Sequence, residues 1–422
     1  MTKRRVVITG IGIVSPYGCG INKFWNSLIE GKSGIKTLTR IPADGQLVTI
    51  GGEATSFEQE VAEGNLLEPK EMKRMDRYTQ FACVASDEAV KDSNLDISKE
   101  DPYRVGVIVG SGAGGFDTFE KQHLTIIDRG PTKCSPFTIP MLIANMACGR
   151  VSMRHGAKGL SKSIVTACAT SAHSVGDAMR SIQYGDADVI IAGGAEAVIT
   201  NLGVGAFTSA RTLSKSHNEE PQKASRPYDI ARDGFIMGEG GACLIVEELE
   251  HAKKRGAKIY AEIVGYGQTS DAYDMVAPDP TGAGAAKSME LALQDANITS
   301  DKVGYINAHG TSTHLGDIAE SQAIAKVFGD LSVNKNLKVS STKSMHGHMI
   351  GATGAAESIV CIKVLTEGII PPTINLDNQD PEVANLDYVP NKAVKANVEY
   401  AVTNSFGFGG HNATLVFKKY ED

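Results

Sequence analysis

Cys168 stands in the run Thr166-Ala167-Cys168-Ala169-Thr170-Ser171-Ala172, between the β-branched stretch Ser163-Ile164-Val165 and a helical pattern over 173–184. A thiol at such a strand-to-helix corner lies at the positive end of the helix dipole, among backbone N–H groups without helical partners. That setting favours the thiolate and raises its nucleophilicity. The same place also suits a small buried hydrophobe. The histidines add a second signal: four of the ten fall in His309-Gly310-Thr311-Ser312-Thr313-His314 and Lys343-Ser344-Met345-His346-Gly347-His348. Each segment follows a predicted strand, so its imidazoles emerge at a strand end, where α/β sites usually lie. His309 and His348 could then serve a cysteine nucleophile as two imidazole donors, without a metal. The rival is a metal site drawn from His309, His314, His346, His348 and Asp317, although the ligand spacing matches no recognised pattern.

Two glycine-rich segments could line such a site. Asn404-Ser405-Phe406-Gly407-Phe408-Gly409-Gly410-His411-Asn412 lies between two predicted strands. It reads either as a tight hairpin with core phenylalanines or as a mobile gate whose N–H helps bind an oxyanion. Gly110-Ser111-Gly112-Ala113-Gly114-Gly115 contains G-x-G-x-x-G, with Asp128 at a tolerable distance for a ribose partner. A lone match is weak, and roughly a hundred residues of other structure precede this one, so glycine-lined packing beside a pocket is the favoured reading. In Gly10-Ile11-Gly12-Ile13-Val14-Ser15 a serine replaces the third glycine, and the match is weaker still.

The elements that must position these groups alternate. Val6–Ile8, Val105–Val109, Ile164–Val165, Val189–Ala192 and Cys243–Val246 read as strands of a first half. Ile259–Val264, Val303–Asn307, Val339–Ser341, Tyr400–Asn404 and Ala413–Phe417 repeat the idea in a second, with helices at 285–296 and 319–328 between them. The pattern is α/β, divided into 1–255 and 256–422. The cysteine corner and its helix, ending at Gly185, echo His348 to Gly354 and a helix ending at Gly368, as duplication of one α/β unit would produce.

With 422 residues, 42% hydrophobic and 22% charged, the composition is that of a globular chain with a large core and excludes disordered and fibrous classes. The formal net charge of -7 argues against generic affinity for nucleic acid or anionic membrane. Seven cysteines without C-x-x-C pairs fit a reducing, cytosolic compartment. The start, Lys3-Arg4-Arg5 and then Val6 to Val14, looks superficially like a leader, but Gly10 and Gly12 interrupt it and a first strand explains it better. No apolar run is long enough to span a bilayer.

Taken together, Thr166 to Ser171, Asn307-Ala308-His309-Gly310-Thr311-Ser312-Thr313, Lys343-Ser344-Met345-x-Gly347-His348 and Asn404 to Gly410 strongly resemble the β-ketoacyl-acyl-carrier-protein synthases, the elongating synthase II group above all. The similarity runs from Arg4 to Lys419. It implies a thiolase-like fold of two duplicated α/β halves in a layered αβαβα body, a homodimer, and no cofactor. It also implies that Cys168 accepts an acyl chain from acyl carrier protein, through its phosphopantetheine arm. His309 and His348 would then stabilise the enolate left when malonyl-carrier protein loses carbon dioxide. The N–H groups of Cys168 and Phe406 would form the oxyanion hole, Phe406 would gate the site, and Lys343 would support the histidines through an ion pair with Glu357.

The resemblance further implies carrier-protein docking at Lys70, Lys73, Arg74, Lys133 and Arg211; a solvated helix face is the alternative for the first three. Four positions depart from the usual pattern. His346 replaces a threonine, His314 a frequent proline, and Ala113 and Thr138 larger apolar residues of the acyl tunnel, which predicts a roomier pocket. The nearest alternative is a ketosynthase of a type II polyketide or aryl-polyene pathway. A non-catalytic chain-length partner would lack Cys168, and a metal-dependent hydrolase is the remote alternative.

Overall fold

The computed structural model describes residues 3–421. The first half contributes strands β1 (Val6–Ser15), β2 (Val105–Gly110), β3 (Ser161–Lys162), β4 (Val189–Glu196) and β5 (Gly240–Glu248). The second contributes β6 (Ala261–Ser270), β7 (Val303–Asn307), β8 (Lys338–Ser340), β9 (Tyr400–Gly407) and β10 (His411–Lys419). All ten belong to one sheet, ordered β8-β7-β9-β10-β6-β1-β5-β4-β2-β3. Numbered within its own half, each set of five runs 3-2-4-5-1. The pairings agree as well: β2 is parallel to β3 and β4, and β5 antiparallel to β4 and β1. Likewise β7 is parallel to β8 and β9, and β10 antiparallel to β9 and β6. The halves join where Val7 pairs with Glu262 and Ile8 with Ala261.

Helices fill both faces, which is why β1, β2, β4 and β5 are buried at every position and read as continuous apolar runs rather than alternating ones. Outside the first half pack α1 (Arg77–Asp92) and α3 (Met146–His155); α2 (Phe116–Arg129) lies between them in sequence. Outside the second half pack α5 (Ala283–Ala296) and α6 (His314–Phe328). Between the halves lie α4 (Thr170–Tyr184) and α7 (Thr353–Glu367), buried on nearly all sides and packed on each other. The result is the layered αβαβα arrangement of the thiolase-like fold.

The duplication is closest at the two central corners. Ala167 has φ 49 and Ile350 φ 46, each opening a one-turn 3-10 segment, 167–169 or 350–352. Each segment leads into a 15-residue helix beginning with threonine and ending at a left-handed glycine, Gly185 or Gly368. Gly351 therefore occupies in the second half the place of Cys168 in the first. Gly354 lets the helices touch, since a Cβ there would meet the Ala172 nitrogen at 2.6 Å, and the Ala355 N–H donates to Ser171 Oγ at 2.9 Å.

One predicted strand is misplaced. The ladder of β3 ends at Lys162, and Ile164–Val165 lies beyond it in irregular backbone, with Val165 54% exposed. Its β-branched run marks an apolar sheet edge rather than an interior strand. The helix expected from His173 begins earlier, at Thr170. Among the described residues, no helix is long and apolar enough to cross a membrane.

Candidate active site

A cavity of about 580 Å³ opens at the seam between the two halves, lined by Cys168, His309, His348, Phe406, Gly407 and Phe408 among others. Its size and largely apolar wall suit a flexible organic ligand held by a few polar groups. Cys168 projects from the 3-10 turn that enters α4, a conformation held by Ala167 in the left-handed region and by the Thr166 N–H donating to Thr170 Oγ1 at 2.9 Å. Only glycine fits at Gly110, at the end of β2, because a Cβ there would meet the Ile164 carbonyl at 2.3 Å and Thr170 at 2.4 Å.

Cys168 is 8% exposed, and burial pushes its thiol up to about 12. The charge on Lys343 and the N–H groups of Phe408 and Cys168 itself pull the other way. The standing thiolate expected from the helix end is thus a thiol here, because desolvation outweighs the dipole and charge contributions.

The loop over the sulfur also corrects an expectation. Phe406 is still in the ladder, opposite Asn412, with its ring centroid 5.7 Å from that of His309. Phe408, beyond the strand end, directs its N–H at the Cys168 sulfur. Neither the Phe408 nor the Cys168 N–H has a backbone acceptor, which leaves both free beside the sulfur, whereas Phe406, expected to give the second N–H, is a ladder residue. Gly407 makes the approach feasible: a Cβ there would meet the Thr166 carbonyl at 2.7 Å and the Cys168 nitrogen at 3.1 Å. The Gly409-Gly410 pair, both at positive φ, was the sequence signal that the strand ends before Phe408.

His309 follows β7, and its turn is fixed by Glu320 of α6, whose carboxylate accepts from the His309 N–H at 2.8 Å and the Gly310 N–H at 2.7 Å. His348 is held by its backbone, the N–H donating to the Ile236 carbonyl and the carbonyl accepting from the Gly238 N–H, each at 2.7 Å. The two rings meet edge to face with centroids 5.3 Å apart. His348 Nδ1 lies 3.1 Å from Thr353 Oγ1, leaving Nε2 without a partner. Burial, and then the charge on Lys343, holds both imidazoles well below the usual histidine range, so they are neutral. Lys343 Nζ is 2.5 Å from Glu357 Oε1 in a pair sealed from water. Glu320 and Thr353 carried no sequence signal of their own; each acts through a hydrogen bond that only the packing of α6 and α7 creates.

The remaining candidates separate. Ala113 lines the cavity, whereas Thr138, expected beside it, does not: it starts a short helix and its hydroxyl donates to the Ser135 carbonyl at 2.7 Å. Arg211 lies on the cavity lining. Lys70, Lys73, Arg74 and Lys133 are exposed, and Arg74 stacks 4.9 Å from the Phe137 ring centroid, bringing the two basic segments side by side. His346 faces away toward Thr342 Oγ1, at 3.0 Å, and Asp317 accepts from the Tyr228 and Ser312 N–H groups beside Arg232. The five groups of the metal reading therefore do not converge, and among the described residues no set of three His, Cys, Asp or Glu side chains is arranged to hold an ion. In the G-x-G-x-x-G loop the Gly112 and Ala113 N–H groups, which a nucleotide phosphate would need, are taken by Glu196.

Fold and site define a condensing enzyme of the thiolase-like class, and comparison with known proteins names the family. Residues 3–252 match the β-ketoacyl synthase N-terminal domain and residues 260–377 the C-terminal domain, so the chain belongs to the β-ketoacyl synthase family. It is 49% identical over 418 residues to 3-oxoacyl-acyl-carrier-protein synthase 2 of Staphylococcus aureus strain COL, covering 99% of both chains. The synthase 2 of Synechocystis is 47% identical over 421 residues, covering 100% of this chain and 99% of that one. Among solved structures, a type II polyketide synthase acyl-carrier protein in complex with its ketosynthase bound to the hexaketide superposes with a TM-score of 0.90. That match has 34% identity and covers 99% of this chain and 100% of the other.

Proposed function

We propose that the chain elongates acyl groups by decarboxylative Claisen condensation on acyl carrier protein, as a synthase of fatty-acid synthesis. The observation that carries this reading is one cavity holding a thiol, two neutral imidazoles and two N–H groups without acceptors. In the first step the Cys168 sulfur attacks the acyl thioester and the carrier thiolate leaves, taking up the proton the thiol loses. The Cys168 and Phe408 N–H groups hold the oxyanion in passing. In the second step malonyl-carrier protein enters, and His309 and His348 donate to its thioester oxygen while carbon dioxide departs, so the electron pair is kept as an enolate. The enolate carbon attacks the acyl-Cys168 carbonyl, the thiolate is expelled and takes a proton from solvent, and the product is a β-ketoacyl chain longer by two carbons. Lys343, paired with Glu357, keeps the imidazoles neutral and therefore able to donate without becoming acids.

Phe406 and Phe408 form the gate over the acylated sulfur, because the Gly407-to-Gly410 turn can shift without moving the strands behind it. Lys70, Lys73, Arg74, Lys133 and Arg211 dock the acidic carrier protein and direct its arm into the cavity. A second copy of the chain pairs at the β3 edge: Ser163 Oγ contacts the Ala144 carbonyl, gathering exposed Ile143 and Val165 at one apolar border. The boundary between the halves falls at 255–256, and seven free thiols suit the cytoplasm. The likeness to a polyketide ketosynthase keeps a polyketide product as the second reading, to be separated by product analysis with purified malonyl- and acyl-carrier proteins. Ala113 leaves room for long acyl chains, and failure to extend them would count against that. The central test is intact-protein mass spectrometry after incubation with acyl-carrier protein. Wild type should gain the acyl mass and Cys168→Ala should not; an unmodified wild type, or an acylated Cys168→Ala, would sink the assignment.

A further inference from the structure

Glu196 ends β4 directly behind the cavity and is fully buried. Its carboxylate accepts four hydrogen bonds: from Ser111 Oγ at 2.7 Å, the Gly112 N–H at 2.7 Å, the Ala113 N–H at 3.2 Å and the Gly351 N–H at 3.1 Å. The first three donors belong to the glycine loop that carries Ala113 into the acyl pocket. The fourth belongs to the turn between His348 and α7, at the position that matches Cys168 in the duplicated half. At Cys168 the corner N–H is free for a substrate oxyanion; at Gly351 the same N–H is occupied by an anion of the protein itself. Gly351 cannot be larger, because a Cβ would meet the Gly112 nitrogen at 2.6 Å and Glu196 Oε2 at 2.7 Å. Burial raises the carboxyl to about 7 in spite of these bonds, a cost that an ordinary packing residue would not carry.

We infer that Glu196 is a positioning residue for the condensation, its carboxylate filling the anion-binding corner at Gly351 and thereby tying the acyl-pocket loop to the turn that bears His348. Both walls of the reaction chamber then share one anchor. Each oxygen already accepts two donors, and Oε2 is shared by the Gly112 N–H of the loop and the Gly351 N–H of the turn, so an uncharged amide in place of the carboxylate weakens the hold on both walls. The inference rests on the condensation proposed above.

The test uses Glu196→Gln in the full-length enzyme and follows the two half-reactions separately. Acyl transfer to Cys168 is read by intact mass and carbon dioxide release from malonyl-carrier protein by initial rate. Both should fall about tenfold, the consequence of losing a hydrogen bond to a buried charge, while the KM for carrier protein stays within about twofold because the docking surface is untouched. Equal loss of both rates with constant KM supports the shared anchor. A folded variant, melting within a few degrees of wild type, that loses only one half-reaction or neither overturns it. Should Glu196→Gln fail to fold, Ser111→Ala removes one donor to Glu196 and the acceptor of the Gly114 N–H, both within the loop: acyl transfer should slow about threefold with carbon dioxide release unchanged, and any other result refutes the arrangement. Wild-type acylation of Cys168, measured in parallel, distinguishes failure of this inference from failure of the functional reading itself.

Discussion

The hydroxyl of Thr353 decides which nitrogen of His348 carries the proton, and Thr353→Val tests that. Thr353 Oγ1 lies 3.1 Å from His348 Nδ1, out of contact with water, while the other ring nitrogen of this cavity-lining residue has no hydrogen-bond partner. With the hydroxyl donating to Nδ1, the proton resides on Nε2, where it can hold the thioester oxygen as the enolate forms. Valine keeps the shape and the branched Cβ but removes the donor, and no helix cap is lost because the Thr353 side chain makes none. The backbone clamp of His348 on Ile236 and Gly238 is untouched, so the ring stays in place while its tautomer is released. A buried neutral hydrogen bond contributes about 1 to 1.5 kcal/mol, equivalent to a loss of about 5- to 13-fold in the rate of decarboxylation. The assay is initial carbon dioxide release from malonyl-carrier protein, with KM measured alongside. The rate should fall with KM unchanged, and Thr353→Ser should recover most of it. A folded valine variant within twofold of wild type, or a serine variant as slow as valine, would refute the argument.

Lys343→Met leaves Glu357 buried without its partner; burial, which raises that carboxyl to about 8 even beside Lys343, keeps it the neutral acid, and the unsatisfied group should cost about 1 to 3 kcal/mol in urea unfolding. Adding Glu357→Gln should restore stability but not the rate of Cys168 alkylation at fixed pH, because Lys343 pulls the thiol down; restored alkylation would show that its charge does not act on the sulfur. Gly407→Ala drives the gate loop off the cysteine corner and should slow acyl transfer at least about tenfold through loss of the Phe408 donor; an unchanged rate by intact mass would remove Phe408 from the oxyanion hole. Burial holds His346 down to about 3, whereas the unfolded chain takes up that proton near the ordinary histidine value. Wild type therefore loses stability relative to His346→Gln as the pH falls through 6 toward 4, by about 1.4 kcal/mol per pH unit. A flat difference across that range in urea titrations would show that His346 is charged in the fold.

The α/β class and both sets of five strands were legible because strands buried on both faces write continuous apolar runs, and Ile164–Val165 misled for the same reason: an exposed sheet edge is equally β-branched. Cys168, His309 and His348 were legible because their segments combine small residues with chemistry-bearing ones at strand ends. Three things were not. Phe406 and Phe408 differ only in whether the ladder has ended, a matter of register that alternation alone does not reveal. Thr138 was expected beside the pocket from the family position it occupies, while its hydroxyl donates to the Ser135 carbonyl. The state of the thiol depends on how much water the assembled halves exclude, and helix position reports only the dipole's share of that balance.

The same asymmetry explains why the site lies at the seam. Duplication supplies two equivalent corners, each a 3-10 turn feeding a central helix, and Gly354 against Ala172 brings the helices into contact. Two identical corners would offer two nucleophiles facing each other and nothing to hold an enolate. One corner keeps the sulfur and an open N–H; the other gives up both, closing its N–H on Glu196 and turning the preceding segment to present His348. His309 arrives from the neighbouring strand of that second half, and Lys343 from the segment before His348, so the proposed nucleophile comes from one half and the groups proposed to hold the enolate from the other. On the proposed reaction, acyl capture and decarboxylation act on opposite walls of one cavity, and the carbon–carbon bond forms where those walls face each other.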